Sequence, residues 1–473
     1  MSIQFGTDGW RAKVGEDFTV ENVKLCTQAV CNYLKSREIA DNGLMVGYDT
    51  RVGSADFAVA VTEVAVGNSI PVILCDRPAP TPVVSYNLVR RDCAAGVIIT
   101  ASHNPSDWNG FKFKPGYGGS ASQEIITELE TCLDAVLEDQ RYLSLPITDA
   151  EKVGLVERVN PELLYLNHVA GLVDLGSIRN AGLNVIVDSM HGAGSGYIRQ
   201  LLEGGTTHVT EIRNEMDPTF PDMKQPEPID RNLEPLKEII WNSNGDVGLA
   251  TDGDADRLGL VDEYGNYIST LHTFALICQH LLENLGMTGT LVRSITMTCM
   301  IDKLGDLHKV PVIDTPVGFK HLGPVMMEED AIVAGEESGG YGFKGHIPER
   351  DGILSALMIL DMMVKTNKNP ADLISDLIDR VGPHHYNRID LTFQPEERGQ
   401  IEERLAKAQP TKIGNLAVAE IDTRDGYRYV LKDGYWGLIR FSGTEPLIRI
   451  YAESESPNSV NSIIEECRNI AGI

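Results

Sequence analysis

The stretch GVIITASHNP, residues 96–105, joins an apolar run to a polar turn and decides the fold class. Similar β-branched runs at Leu44–Val46, Val72–Leu74 and Leu183–Val187 alternate with longer amphipathic segments such as Val20–Lys35. This alternation is typical of an α/β protein. Each run is followed within two residues by Asp, Gly or Ser. Because open α/β sheets bind ligands at the carboxyl ends of their strands, we expect functional loops there.

The length of the chain, 473 residues, predicts several domains, because one hydrophobic core rarely serves so many residues. Boundaries are expected in a proline-containing charged segment near 150, at a turn near 262 and at Val381-Gly382-Pro383. The first three segments each contain a βαβ-like unit that ends in a polar loop, which suggests diverged copies. The last alternates β-like runs with two helical stretches, as in a two-layer α+β domain. The expected domains are 1–150, 151–262, 263–382 and 383–473.

Composition and charge exclude some classes of protein. A formal net charge of -27 argues against nucleic acid as a partner, and it requires local arginines, lysines or a metal wherever an anion binds. No segment reaches the roughly 20 uncharged residues of a membrane span, and Met1–Lys13 contains no apolar run. We therefore expect a cytoplasmic protein. The eight cysteines form no CxxC pair and are expected to be reduced core residues.

The first motif is the turn that contains Ser102. A serine at the end of an apolar strand, followed by His, Asn and Pro, lies on a turn rather than in a helix. Alone, this stretch would be an ordinary turn. The nearby Lys112, together with the carboxylate cluster described next, favours a functional loop.

The second motif contains three aspartates, Asp252, Asp254 and Asp256, with only Gly and Ala between them. An extended or tightly turned loop can point all three carboxylates the same way, where they repel one another unless a cation is bound. Oxygen ligands favour Mg²⁺, which completes its shell with phosphate or water. The alternative is a solvated acidic turn, but the apolar flanks Val247–Ala250 and Leu258–Val261 favour a buried loop.

Two further loops are rich in polar groups. Gly335–Phe343 combines carboxylates and hydroxyls with a flexible backbone, so it can bind vicinal sugar hydroxyls or be a simple glycine-rich turn. His346–Gly352 adds polar groups before a helix. Arg440–Arg449 surrounds one turn with arginines, hydroxyls and a glycine backbone, the components of a phosphate-binding loop, although a surface turn with solvated arginines has the same composition.

Together and in this order, the four loops resemble the α-D-phosphohexomutase superfamily, from Phe5–Arg11 to Arg449. The resemblance implies three related α/β domains with mixed sheets and a more mobile C-terminal α+β domain around a central cleft. It also implies an isomerase, an intramolecular phosphotransferase that interconverts hexose 1-phosphates and 6-phosphates through a phosphoserine and a bisphosphorylated sugar. One Mg²⁺ per chain and glucose 1,6-bisphosphate as an activator are expected. The expected partners are small hexose phosphates, without nucleic acid or membrane, in a monomer or homodimer.

The resemblance also implies residue roles. Ser102 is similar to the phosphoserine and, with the three aspartates, to the Mg²⁺ ligands. Lys112 resembles the general base. The residues that resemble groups around the phosphoryl are Arg11, His103 and Arg257. The residues that match the sugar-binding loop are Glu336 and Ser338. The residues that match the loop for the phosphate that is not transferred are Arg440, Ser442, Gly443, Thr444 and Arg449.

One departure affects substrate choice. Position 340, where some dual-specificity and glucosamine-type members have histidine, is Gly340 here, so an acid/base duty would move to His346 or His321. Lys320 is expected to contact the substrate. The form of these loops resembles glucose-type phosphoglucomutases, which makes glucose phosphate the expected substrate and mannose phosphate a second one.

Three alternatives stay open. The first is a phosphoglucosamine mutase, favoured by a carboxylate that pairs with an amine at the sugar's C2. The second is a metal-dependent phosphatase, which would leave the last loop unexplained. The third is a non-catalytic sugar-phosphate-binding paralogue, which usually lacks the serine or an aspartate; both are present here.

Overall fold

The computed structural model describes residues 3–6, 8–442 and 447–473. Within those residues the strands form four sheets, of which three are mixed and the fourth is antiparallel. The predicted fold class is confirmed.

The first sheet contains β1 (Trp10–Lys13), β2 (Leu44–Tyr48), β3 (Val72–Cys75), β4 (Ala95–Ile99), β5 (Trp108–Pro115) and β6 (Val156–Val159). Its order is β1-β5-β4-β2-β3-β6, and β5 runs antiparallel to both of its neighbours. The helices of this part are α1 (Val20–Ser36), α2 (Ser54–Gly67), α3 (Thr81–Arg90), α4 (Gln123–Asp139) and α5 (Ile147–Lys152). The sheet takes in β6, which lies past residue 150, where the first domain is expected to end.

The second sheet contains β7 (Asn184–Asp188), β8 (His208–Ile212), β9 (Val247–Thr251), β10 (Leu258–Val261) and β11 (Tyr267–Ile268). Its order is β11-β10-β9-β7-β8. The accompanying helices are α6 (Glu162–Val169), α7 (Leu175–Asn180), α8 (Tyr197–Leu202) and α9 (Glu234–Ser243). The short strand β11 extends this sheet past the boundary expected near 262.

The third sheet contains β12 (Leu291–Ser294), β13 (Val312–Thr315), β14 (Val333–Gly335) and β15 (Tyr341–Phe343) in the order β13-β12-β14-β15. Its helices are α10 (Thr270–Gln279), α11 (Met300–His308), α12 (Phe319–Glu328), α13 (Gly352–Thr366) and α14 (Pro370–Val381). A π-helical turn over His280–Asn284 continues α10.

The three mixed sheets share one topology. The corresponding orders are β5-β4-β2-β3, β10-β9-β7-β8 and β15-β14-β12-β13, and in each the first strand is antiparallel to the second. The loop between the antiparallel pair carries Ser102 in the first sheet, Asp252 in the second and Glu336 in the third. The prediction of three related domains is thus confirmed, and the repeated topology gives all three loops the same place in their sheets.

The fourth sheet contains β16 (His385–Thr392), β17 (Lys412–Ile413), β18 (Leu416–Asp422), β19 (Tyr427–Leu431), β20 (Trp436–Phe441) and β21 (Leu447–Ser454). Its order is β16-β21-β20-β19-β18-β17, and all pairs are antiparallel. The helices α15 (Arg398–Lys407) and α16 (Pro457–Ala471) pack on it around a core that includes Trp436. This is the two-layer α+β domain expected from the sequence.

Single 3₁₀ turns complete the fold at Ala40–Asn42, Asp230–Asn232, Pro395–Glu397 and Lys432–Gly434. All eight cysteines lie in the described residues as free thiols, and only Cys132 among them is half-buried rather than buried. No helix in the described part of the chain is long and apolar enough to cross a membrane.

Candidate active site

Ser102 lies just past the end of β4 in a left-handed backbone conformation, with φ of 53°. Its amide donates to Thr100 Oγ1 at 2.9 Å, which closes the turn. The residue is buried, with 1% of its surface exposed. A left-handed conformation is costly for a non-glycine residue and persists only where surrounding contacts hold it.

Arg51 supplies those contacts. Its guanidinium, on the loop after β2, is buried and pairs with Asp49 at 3.2 Å. It donates to four backbone carbonyls of the serine loop at 2.6–3.0 Å, and these belong to Ser102, Asn104, Pro105 and Trp108. Phe220 covers the guanidinium, with 4.9 Å to the ring centroid. Sequence reasoning missed Arg51, because its function is to bind backbone atoms that no motif displays.

The loop with the three aspartates joins β9 to β10 and packs directly on the serine loop. A Cβ on Gly253 would lie 2.5 Å from the carbonyl oxygen of Ser102, so only glycine allows this approach. Ser102 Oγ donates to Asp252 Oδ2 at 2.7 Å, and Thr81 Oγ1 donates to Asp254 Oδ2 at 2.6 Å. The proposed nucleophile and the carboxylate cluster therefore form one site.

The three aspartates are fully buried and offer carboxylate oxygens within 4.8 Å of one another. Burial and the neighbouring charges of Asp256 and Asp254 raise the pKa of Asp252 well above its usual range. Among the described residues, Asp254 Oδ1 and Asp256 Oδ1 are buried without a hydrogen-bond partner. Burial of a carboxylate oxygen without a partner costs free energy unless a cation binds it. The three carboxylates therefore fit Mg²⁺.

Lys112, on β5, donates to Asp254 at 2.8 Å and to Asp256 at 3.2 Å, and it pairs with Asp8 at 2.8 Å. Burial acts to lower the pKa of Lys112, but the three carboxylates outweigh it, and the net shift is upward. In the same way, burial would raise the pKa of Asp254, but Lys112 holds it below its usual value. Lys112 is therefore a protonated cation in this arrangement.

The other groups predicted around the phosphoryl lie in the same place. Arg11, on β1, donates to Asn104 Oδ1 at 2.9 Å. His103 Nδ1 is 3.4 Å from Ser102 Oγ, and burial together with nearby cations lowers the pKa of His103 well below 6.5. Arg257 pairs with Glu227 at 3.3 Å and lies 3.9 Å from Asp252. The imidazole is therefore neutral, and the arginines provide the positive charge.

Besides Arg51, four further charged residues of the site were not selected from the sequence. Lys114 contacts Asp8 Oδ1 at 2.9 Å and also binds Glu349, while Arg350 contacts Asp8 at 2.5 Å and Asp256 at 3.1 Å. Lys114 follows Lys112 by two positions on one strand, so the two side chains share a face. That spacing could have identified Lys114 from the sequence. Asp8, Glu349 and Arg350 had only their proximity to motif residues as a signal.

The loop expected to bind the sugar follows β14. Ser338 Oγ donates to Glu336 Oε1 at 2.9 Å, and Arg350 Nη1 contacts the same oxygen at 3.1 Å. Arg350 therefore links this loop to the carboxylate cluster. Lys320, on α12, donates to Gln123 Oε1 at 2.9 Å, and burial lowers its pKa. Lys320 therefore links α12 to α4, and it is not part of the cluster of charged residues around Lys112 and Asp254.

His346 contacts other residues than the sugar-binding loop and the carboxylate cluster. Its Nε2 is 2.9 Å from Asp351 Oδ2, and its Nδ1 is 3.0 Å from His168 Nε2. Its side chain is fully buried and stacks against His168. Both ring nitrogens have protein partners, so no atom remains for a sugar, and we leave His346 out of the proposed site. His321 is half-buried beside Lys320, and burial lowers its pKa.

Two arginines of the segment expected to bind phosphate lie on strands of the fourth sheet. Arg440 on β20 and Arg449 on β21 are directly paired across the two strands. Arg440 binds Asp425 at 2.8 Å, and the Ser442 amide donates to the Leu447 carbonyl at 2.7 Å. Both arginines lie near the end of the hairpin at which the chain passes from β20 to β21, which is consistent with a phosphate grip. Gly443 and Thr444 lie outside the described residues.

A second buried cluster joins Cys299, His384 and Glu453. Cys299 Sγ is 3.6 Å from His384 Nδ1, which is 3.0 Å from Glu453 Oε1. Lys303 Nζ lies 3.0 Å from His384 Nε2 and can only donate there. That contact leaves the ring proton on Nδ1, where it is directed to Glu453. We therefore interpret the cluster as a hydrogen-bond hub between α11 and β21 rather than a metal site.

Models of the phosphoglucomutase/phosphomannomutase domains match most of the chain. They are alpha/beta/alpha domain I over residues 2–140, domain II over 164–265, domain III over 271–381 and the C-terminal domain over 396–470.

Individual relatives match along the whole chain. A phosphoglucomutase/phosphomannomutase of Thermococcus kodakarensis is 29% identical over 98% of this chain and 97% of its own. A probable phosphoglucosamine mutase of Methanothermobacter thermautotrophicus is 31% identical over 98% of this chain and 96% of its own. The crystal structure of a Thermus thermophilus protein named as a phosphomannomutase superposes with a TM-score of 0.86 at 29% identity, covering 100% of both chains.

Proposed function

The chain belongs to the phosphoglucomutase/phosphomannomutase family, and we propose that it is a phosphohexomutase whose nucleophile is Ser102. It interconverts hexose 1-phosphate and hexose 6-phosphate through a phosphoserine enzyme and a bisphosphorylated sugar. Glucose phosphate is the proposed substrate, with mannose phosphate as a second one. Glucose 1,6-bisphosphate is the proposed activator.

The hydrogen bond of 2.7 Å between Ser102 Oγ and Asp252 Oδ2 carries this proposal. It aligns a hydroxyl with three buried carboxylates that need a cation, and Arg11, Lys112 and Arg257 lie around them. A phosphoryl group on Ser102 would add nearly two negative charges. The guanidinium groups of Arg11 and Arg257 would offset that charge in this buried site.

Asp252, Asp254, Asp256 and phosphorylated Ser102 would hold Mg²⁺. When bound, the ion neutralises charge that develops on the transferred phosphoryl group. Lys112 is the proposed general base: in its neutral form it accepts the proton of the sugar hydroxyl as that oxygen bonds to phosphorus, and the bond from phosphorus to Ser102 Oγ breaks with its electron pair left on Oγ. Asp254 and Asp256 now hold Lys112 in its protonated form. If those two carboxylates shared their charge with a bound cation, Lys112 would lose its proton more easily.

The remaining loops would hold the rest of the substrate. Glu336 and Ser338 accept and donate hydrogen bonds to sugar hydroxyls, and Lys320 is a further proposed contact. The arginine pair Arg440 and Arg449 grips the phosphate that is not transferred, together with Ser442, Gly443 and Thr444. A mutase must accept both ends of its bisphosphate intermediate, so a phosphate grip apart from the metal suits this reaction better than a phosphatase.

The runner-up is a phosphoglucosamine mutase, which the name of the Methanothermobacter relative favours. It shares the chemistry and differs in the group at C2. A non-catalytic sugar-phosphate-binding protein would need neither Ser102 nor the complete carboxylate cluster, and both are present.

The test is a mutase assay. Purified protein is incubated with Mg²⁺, a trace of glucose 1,6-bisphosphate and glucose, mannose or glucosamine 1-phosphate, and the 6-phosphate formed is measured. The expected result is turnover of the glucose and mannose phosphates that collapses in Ser102→Ala. Ser106→Ala, in the same loop, is the matched control and should retain activity.

Activity confined to glucosamine phosphate would keep the mechanism and change the substrate. Full activity of Ser102→Ala would rule out the phosphoserine route. Wild-type protein that binds hexose phosphates without turning them over would support the binding-protein alternative.

A further inference from the structure

Asp425 lies in the turn between β18 and β19 and joins two parts of the chain. Its Oδ1 accepts from Arg440 Nε at 2.8 Å, and its Oδ2 accepts from the backbone amide of Val317 at 2.9 Å. Val317 follows β13 of the third sheet, whereas Arg440 is on β20 of the fourth. One carboxylate therefore connects a proposed phosphate ligand to the segment that leads into α12 and Lys320.

The turn that carries Asp425 packs directly on Arg440. A Cβ on Gly426 would lie 2.6 Å from the Ile439 carbonyl oxygen and 3.2 Å from Arg440 Cα. Gly426 also has a φ of 98°, which other residues rarely adopt. Glycine at this position therefore allows the close approach that brings the carboxylate of Asp425 to the guanidinium.

Asp425 hydrogen-bonds to one nitrogen of Arg440, which is Nε. The two terminal nitrogens of Arg440 make no hydrogen bond to any residue that the structure describes. A guanidinium that is fixed through Nε can still bind a phosphate with its terminal nitrogens. The side chains of Arg440 and Asp425 are 15% and 21% exposed, so solvent screens this pair only in part.

The turn is also anchored independently of Asp425. Arg424 Nη1 donates to the Asp314 carbonyl at 3.0 Å, and Arg428 Nη1 donates to Asp314 Oδ2 at 2.8 Å. Asp314 lies on β13 of the third sheet. Loss of the Asp425 carboxylate should therefore leave the turn docked on that sheet and release the guanidinium of Arg440.

We propose that Asp425 is a positioning residue for the phosphate grip: it holds the Arg440 guanidinium through Nε and ties it to the segment that carries Lys320. The inference rests on the proposed function, in which Arg440 binds the phosphate that is not transferred. A guanidinium that is held in place before the ligand arrives loses less conformational entropy when the phosphate binds. Asp425 therefore raises the affinity for hexose phosphates without touching them.

Asp425→Asn tests the proposal. Asparagine has one acceptor oxygen and its amide nitrogen only donates, so it cannot accept from both Arg440 Nε and the Val317 amide. The affinity for glucose 6-phosphate is measured by isothermal titration calorimetry in a Ser102→Ala background, which lacks the proposed nucleophile. We expect Asp425→Asn to lower this affinity about tenfold, the loss expected for one charge-assisted hydrogen bond.

A double variant separates positioning from a general structural effect. Arg440→Met removes the guanidinium, and in that background Asp425→Asn should lower the affinity no further, because its effect acts through Arg440. With Ser102 intact, Asp425→Asn should raise KM about tenfold with little change in kcat, since binding rather than chemistry is weakened. The control is Asp433→Asn, which should match the wild type, because Asp433 is exposed and its φ of 64° suits asparagine.

Circular dichroism establishes that each variant is folded. If Asp425→Asn does not fold, Asp425→Ser takes its place with the same expectation, because the shorter side chain cannot reach both donors. Unchanged affinity in the folded variant would overturn the positioning role and leave the proposed function intact. The same follows if the effects of Asp425→Asn and Arg440→Met multiply.

The proposed function can fail separately. Wild-type protein that binds hexose phosphates but does not turn them over would overturn the mutase proposal, whereas the calorimetric result would still decide the role of Asp425. Protein that binds no hexose phosphate would overturn both.

Discussion

Ser102 and Asp252 are 150 positions apart in the chain, yet Ser102 Oγ donates a 2.7 Å hydrogen bond to Asp252 Oδ2. The contact joins a loop of the first sheet to the corresponding loop of the second. Gly253 makes it possible, because any larger residue there would collide with the Ser102 carbonyl. The nucleophile is thus positioned against the carboxylate cluster by packing of the two loops before any ligand binds.

Replacement of Asp252 by Asn should weaken Mg²⁺ binding by about a hundredfold, because an amide oxygen carries no net charge for the ion. Isothermal titration calorimetry measures the affinity directly. The control is Asp222→Asn, since Asp222 is exposed and has a left-handed φ of 64°, which asparagine tolerates. If Asp252→Asn binds Mg²⁺ as tightly as the wild type, the three aspartates are not the metal site.

Arg51→Lys should lower kcat by about a hundredfold with a smaller change in KM, because a single ammonium cannot bind four carbonyls and the serine loop loses its fixed position. Steady-state kinetics separates the two constants. Arg37→Lys serves as the control, since Arg37 is an exposed residue on the same domain. If Arg51→Lys lowers thermal stability but leaves kcat unchanged, Arg51 does not position the serine loop for catalysis.

Several features of the site follow from local sequence. The alternation of Asp252, Asp254 and Asp256 with small residues between apolar strands predicts a buried carboxylate cluster, and such a cluster is present. The polar loops after β4, β9 and β14 could be located in the same way, because an apolar strand precedes each of them. Strand order could not be predicted, because period-two patterns carry no information about which strands are neighbours.

Other features depend on contacts between distant segments. Arg350 and Asp8 are 342 positions apart, and no local pattern marks them as partners. His346 is one of the two residues expected to take the acid/base duty that Gly340 cannot serve. The chain turns at Gly345, with φ of 82°, and carries His346 to His168 instead. Proximity in sequence is therefore a poor guide once a turn intervenes.

Glu453→Ala should destabilise the contact between the third and fourth sheets. Glu453 accepts from the Cys299 amide at 2.8 Å and from Trp436 Nε1 at 2.7 Å, and His384 Nδ1 is 3.0 Å away. Loss of the carboxylate leaves these buried donors unpaired, at a cost of about 3 kcal/mol. Hydrogen–deuterium exchange of peptides from β20 and β21 should then be faster. Glu455 is exposed and close in sequence, so Glu455→Ala is the control. Its peptides should exchange at the wild-type rate.

His168 makes the folded protein sensitive to acid. Burial, and then the neighbouring His346, lower the pKa of His168 to about 4, with Asp351 opposing the shift and Arg90 adding to it. The unfolded chain protonates this ring near its ordinary value of about 6.5. Because the folded state binds the proton less readily, His168 contributes full stability above about pH 6.5 and loses it as the pH falls towards about 4. For one proton, the free energy of unfolding changes by at most about 1.4 kcal/mol per pH unit. Partial exposure of the His168 ring to solvent makes this change smaller.

His168→Phe keeps the stacking on Tyr86, whose ring centroid is 4.2 Å from that of His168, but removes the titrating group. Urea unfolding at several pH values should show a shallower loss of stability for this variant between about pH 6.5 and about 4. Some dependence should remain, because the pKa of His272 is also lowered to about 4 by burial. The exposed His208 gives the control His208→Gln, which should follow the wild-type curve. A variant curve that parallels the wild type throughout this range would show that His168 does not cause the acid sensitivity.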